Sequence, residues 1–94
     1  MARLNKPIWT FLPGYMVSTN DTPDHGLETM VFFAEEGAGE REDFFSFGTY
    51  AYGVDFDRAF EEYTRHYETV AQAKAGHKEI VKMVKERIKN EKHA

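Results

Sequence analysis

Residues 69–92, TVAQAKAGHKEIVKMVKERIKNEK, place apolar side chains at the three- and four-residue steps of an amphipathic helix. Val70, Ala73, His77, Ile80, Val81, Val84 and Ile88 form a face that seeks a core, while Lys74, Lys78, Lys82, Lys85, Lys89 and Lys92 form a basic strip. Thr69 followed three residues later by Gln72 has the form of a capping box, each side chain satisfying a backbone N–H that the first helical turn leaves unpaired. Gly76 inside the helix costs about 1 kcal/mol against alanine. Its position implies either a group that approaches the backbone closely or simple tolerance.

Working back from the helix, the chain reads as a run of strands. Residues 8–12 are β-prone, Pro13-Gly14 is a turn dipeptide, and residues 15–19 complete a hairpin. Residues 20–26, NDTPDHG, are dense in turn formers and read as a loop. Residues 27–34, with Met30, Val31, Phe32 and Phe33 in succession, suit a central strand covered on both faces. Residues 35–43, EEGAGERED, read as an acidic loop, and 44–54, FFSFGTYAYGV, as an aromatic strand with glycine bulges. Phe56, Phe60, Tyr63 and Tyr67 have helical spacing, yet the cap at Thr69 needs a non-helical entry, so a short turn or helix at 56–59 and a strand over 60–67 are expected. The expected fold is α+β: one domain over 1–94, an antiparallel meander of four to five strands packed against one long C-terminal helix.

Ninety-four residues supply one core and too little chain for a deep cleft with a separate cofactor module. The chain contains no cysteine, which excludes disulfides, thiolate metal sites and a thiol nucleophile. The N-terminal residues MARLNKPIWTFLPGYM lack an uninterrupted apolar h-region, and no stretch reaches the roughly 18 apolar residues of a membrane span. A soluble, unprocessed protein of the cytoplasm is the expectation. Charge is strongly segregated. Residues 1–20 carry Arg3 and Lys6 and no acid (+2), residues 21–68 carry 13 acids against 3 arginines (−10), and residues 69–94 carry 7 bases against 3 acids (+4), in agreement with the overall −4. The plain reading is two solvated faces; the alternative is that one charged surface meets a partner or another subunit. Nucleic acid is disfavoured, because the acidic middle repels phosphate and no aromatic residue interleaves the lysines.

Several blocks together resemble a family of small uncharacterised bacteriophage proteins: Val17-Ser18-Thr19, Asp24-His25, Leu27-Glu28-Thr29-Met30-Val31-Phe32, then 63–67, Thr69 and AKAGH at 73–77. Members of that family run from a Ser-Thr strand through an Asp-His loop to an ETMVF strand and close with an A-x-x-GH helix. The resemblance covers about half the chain. It implies a phage or prophage origin and a strands-then-helix fold, and it points to no particular activity.

Asp24, His25, Glu28 and His77 are the one polar cluster that chemistry could use. Two imidazoles and a carboxylate could hold a divalent metal, and a His/Glu pair could exchange protons. The structural alternative makes His77 a core residue hydrogen-bonded to a neighbour and His25 a turn residue. No phosphate loop, G-x-S-x-G or H-E-x-x-H motif occurs, and no cofactor or metal is expected. Three functions follow. The first is a non-enzymatic binder of a host or defence protein, using Glu35, Glu36, Glu40, Glu42 and Asp43 beside Tyr50 and Tyr52. The second is an oligomeric nucleotide or small-molecule binder using Arg58, Arg65 and the helix lysines. The third is a metal-dependent enzyme. Aromatic residues Phe44, Phe45, Phe47, Tyr50 and Tyr52 exceed what one sheet face can cover, so a homodimer is expected.

Overall fold

The computed structural model describes residues 4–43 and 48–92. In chain order the elements are β1 (Ile8–Leu12), β2 (Tyr15–Thr22), β3 (Gly26–Asp43), β4 (Gly48–Ala59), a 3-10 turn (Glu61–Tyr63), β5 (Arg65–Tyr67) and α1 (Val70–Lys92). All strand pairings are antiparallel. The fold is the expected α+β arrangement: a curled sheet shaped as a half-barrel with one C-terminal helix packed on it. Phe44, Phe45 and Phe47 lie outside the described residues.

Gly14, with φ at 85°, takes the left-handed conformation that closes the β1–β2 hairpin after Pro13. Its carbonyl accepts the N–H of Ala34 at 2.9 Å, tying the turn to β3. The hairpin sets the register Ile8↔Thr19 through Leu12↔Tyr15, and β2 then pairs with β3 from Tyr15↔Phe33 to Thr22↔Gly26. β3 is central, as its apolar run implies, with β1-β2 on one side and both β4 and β5 along the other. β5 takes the edge of Leu27, Glu28 and Thr29, while β4 takes the edge from Phe32 to Asp43.

Residues 20–22, expected in a loop, extend β2 and pair with residues 26–28, and two irregularities account for the other departures from the sequence reading. Residues 35–43 are the far half of β3, not a loop. The strand bulges between Ala34 and Gly39, where Gly37 has φ 85°, and then resumes pairing from Gly39↔Tyr52 to Asp43↔Gly48. Residues 56–59 likewise belong to β4 rather than to a turn or helix. There the ladder shifts between Asp55↔Phe33 and Ala59↔Phe32. Asp55 holds the shift: its carboxylate accepts the Asp57 N–H at 3.1 Å and pairs with Arg58 Nε at 3.1 Å. The strand expected over 60–67 is split, because the Tyr63 N–H bonds the Phe60 carbonyl at 3.0 Å and forms the 3-10 turn before β5.

Alternation along β2 and β3 separates two apolar clusters. On the helix side, Tyr15, Val17, Val31 and Tyr63 pack with Ile80 and Val84, joined by Leu12, Phe60, Val81 and Ile88. On the other side, Met16, Phe32 and Ala34 pack with Trp9, Phe11, Met30, Ala38, Ala51, Val54 and Ala59. The residues around the two bulges thus help to cover the face that α1 does not. Each fully buried side chain such as Ile80, Val84 or Met16 contributes about 1.5–3 kcal/mol through removal of apolar surface from water.

The helix begins as its cap residues dictate. Thr69 Oγ1 accepts the Gln72 N–H at 3.1 Å, and Gln72 Oε1 accepts the N–H groups of Thr69 at 3.3 Å and Glu68 at 3.1 Å. Gly76 faces the Tyr67 ring so closely that a methyl group on its Cα would overlap the phenol. Near the other end of the helix, Arg87 pairs with Glu62 at 2.8 Å and Glu91 at 3.2 Å, with its guanidinium 5.0 Å from the Phe60 ring centre. Bonds to Tyr63, Glu62 and Glu91 raise the Arg87 pKa still further. Glu91 also accepts the Tyr15 hydroxyl at 2.7 Å; burial first, and this bond second, push the Tyr15 pKa up.

Candidate functional site

His77 sits on the buried face of α1 and joins a series of hydroxyl groups across the sheet. Its Nε2 lies 2.8 Å from Thr10 Oγ1 on β1, and its Nδ1 lies 2.7 Å from Thr19 Oγ1 on β2. Thr19 in turn contacts Thr29 Oγ1 on β3 at 2.5 Å, and the Tyr67 hydroxyl of β5 donates to Thr29 at 3.0 Å. Burial lowers the His77 pKa and so favours the neutral imidazole. A neutral ring with its proton on Nε2 satisfies the series in one direction, from Tyr67 through Thr29 and Thr19 to Nδ1, with Nε2–H donated to Thr10. Both ring nitrogens therefore have threonine partners, and neither points to a vacant ligand position.

The cluster proposed from sequence does not assemble. Thr29 shares the helix-side layer with His77, so the adjacent Glu28 projects from the opposite face of β3. Glu28 pairs with His66 of β5 at 3.4 Å, the residue directly across the ladder. His25 is exposed in the β2–β3 turn, its N–H donated to Thr22 Oγ1 at 3.1 Å, and Asp24 is exposed beside it. Among the described residues, no group of three or more histidine, aspartate or glutamate side chains could hold a metal ion. Thr10, Thr19, Thr29 and Tyr67, the partners of His77, were not singled out from sequence. The available signal was parity: Thr19 continues the inward series Tyr15, Val17, and Thr29 continues Leu27 and Val31.

Glu40, Glu42, Asp43, Tyr50 and Tyr52 lie along one two-stranded ribbon, and Glu35 and Glu36 precede it at the bulge. β2 pairs with β3 only as far as Phe33, so residues 39–43 and 48–52 run on with only each other as ladder partners. Glu35, Glu36, Glu40 and Glu42 are exposed, and Asp43 is half-buried. Alternation divides the ribbon into two faces. Glu40 and Glu42 stand opposite Ala51 and Thr49, while Arg41 stands opposite Tyr50 and lies 4.2 Å above the Tyr52 ring. Tyr50 remains 44% exposed. Glu40 and Glu42 thus lie on the face opposite Tyr50 and Tyr52, whereas Asp43 shares the tyrosine face.

The arginines expected to meet phosphates, Arg58 and Arg65, both lie exposed at the surface. Arg58 is tied to Asp55, and Arg65 donates to the carbonyls of Glu62 and Thr64 at 3.2 and 3.0 Å. No helix among the described residues is long and apolar enough to cross a membrane. Compared with protein-family models, curated proteins and solved structures, the chain matches none.

Proposed function

We propose that the chain is a small phage-type accessory protein that works by binding, without catalysis, to a basic surface on a host or defence protein in the bacterial cytoplasm. The acidic ribbon is the observation that carries this reading. Glu40 and Glu42 stand exposed on an arm whose outer pairing involves two strands alone. Two-stranded hairpins are marginally stable in water, and a partner that buries the arm adds the contacts it lacks. A field of one sign steers a complementary surface into register, and the segment 21–68 carries most of the negative charge. The same reading includes a two-fold homodimer, with Tyr50 in the contact.

The test is binding to a host protein captured from lysate and then purified. Reversing Glu40 and Glu42 to lysine should weaken the complex, most at low salt, since exposed charges are screened beyond about 8–10 Å at physiological ionic strength. Affinity unchanged by the reversal would remove the ribbon from the interface. Sedimentation equilibrium tests the dimer, and a monomer at high micromolar concentration would refute it.

A further inference from the structure

The face of the sheet away from α1 holds a groove of about 230 Å³ lined by both aromatic and polar side chains. Trp9 and Phe56 are in its lining, Ser18 and Met30 lie between β1 and β4 on the ladder, and Asn20, Thr22 and Glu28 add polar groups. The ladder fixes this layout. Trp9, Ser18 and Met30 are successive partners across β1, β2 and β3, and Asn20, Glu28 and His66 form the adjacent row across β2, β3 and β5. Phe56 comes from the shifted part of β4, where the Asp55 clip turns it onto Phe32 with ring centres 5.1 Å apart. It is nonetheless 52% exposed, an aromatic wall with one side open to the groove and solvent.

We propose that this groove binds an organic cation, the guanidinium or ammonium of an arginine or lysine side chain on a protein partner. Aromatic faces carry negative quadrupole charge and attract a cation within about 6 Å of the ring. Glu28 adds the one acidic side chain among the described residues of the lining. Its contact with His66 engages one oxygen, Oε2, and a carboxylate offers about four acceptor positions in all. No lysine or arginine is among the described residues that line the groove, so an anion finds no counter-charge there. The volume is below the roughly 300–1,000 Å³ of pockets for drug-sized ligands and suits a single side chain. Only the source of the cation rests on the function proposed above; its recognition rests on the groove itself.

Trp9 is the single tryptophan, so its fluorescence reads occupancy directly. Titration with N-acetyl-arginine methylamide, at a pH where histidine is neutral, should give a saturable change with a Kd of about a millimolar. The citrulline analogue, which keeps the shape and loses the charge, should give none. Glu28→Gln should weaken the arginine probe about ten-fold, and Phe56→Ala several-fold, with far-UV dichroism unchanged in both. Glu40→Lys with Glu42→Lys should leave this titration unaltered, which separates failure of the groove from failure of the ribbon. A short arginine-containing peptide that binds more tightly than the capped amino acid supports a protein source; a free diamine that binds more tightly than the peptide overturns it. No saturable response to the arginine probe, equal binding of the citrulline analogue, or an unchanged Glu28→Gln variant overturns the site.

Discussion

The Tyr67 ring lies against the backbone of Gly76, so that β5 and the second turn of α1 meet where a side chain on residue 76 would stand. The contact explains a glycine in the interior of a 23-residue helix. It also places the Tyr67 hydroxyl within reach of Thr29, 3.0 Å away, and so connects helix docking to the hydroxyl series.

Gly76→Ala should therefore destabilise the protein, although alanine is favoured over glycine in a helix by about 1 kcal/mol. Overpacking of this kind costs about 1–3 kcal/mol. In a Tyr67→Ala background the obstruction is gone, and the same substitution should become neutral or stabilising. Urea denaturation of the four proteins of this cycle measures the coupling directly. Additive effects would mean that the ring does not set the identity of residue 76.

Ile80 and Val84 are fully buried at the centre of the helix–sheet core, whereas Lys82 is exposed. Ile80→Ala should lower stability by about 2–4 kcal/mol, and Lys82→Ala by less than about 0.5 kcal/mol. Equal, small losses at the two positions would contradict the packing of α1.

The outer ribbon should be the least protected part of the sheet. Amides of residues 39–43 and 48–52 lie in a ladder of two strands, while those of Val17 and Val31 lie in the core pairing of β2 and β3. Hydrogen exchange should thus be faster in the ribbon by orders of magnitude, since local opening requires no disruption of the main core. Binding of a partner to the arm should slow exchange there selectively.

What could be read from sequence was local or periodic. The capping box at Thr69 and Gln72, the Pro13-Gly14 turn and the stripe from Ala73 to Val84 each depend on residues within a few positions, and each takes the form its chemistry requires. The status of residues 35–43 was not legible, because charged residues dominate both exposed loops and solvated ribbons. Only the resumption of pairing at Gly39↔Tyr52 distinguishes them. The polar site was obscured for another reason. His25 and Glu28 are close in sequence and His77 lies on an apolar stripe, but one step along β3 sends Glu28 and Thr29 to opposite faces. Thr10, Thr19 and Thr29 reach His77 through tertiary pairing, for which sequence supplies parity and not proximity. The groove shares that origin: Trp9, Ser18 and Met30 become neighbours by register, and Phe56 joins them through an irregularity that periodicity treats as a turn.

Protonation of His77 provides the final test of the buried series. Burial holds its folded-state pKa below the ordinary value of 6.5. The unfolded chain thus gains a proton first as pH falls, and the stability present above pH 6.5 should decline below that value until the folded-state pKa is passed. Protonation also makes both ring nitrogens donors, which conflicts with a chain running from Tyr67 through Thr29 and Thr19 into Nδ1. His77→Gln removes the titration while retaining a polar side chain, and should be less stable than the parent at pH 8 yet lose less stability between pH 7 and pH 5. Comparing denaturation midpoints of the two proteins across that range subtracts the carboxylates, which titrate in both. Parallel profiles would show that His77 does not change its proton affinity on folding.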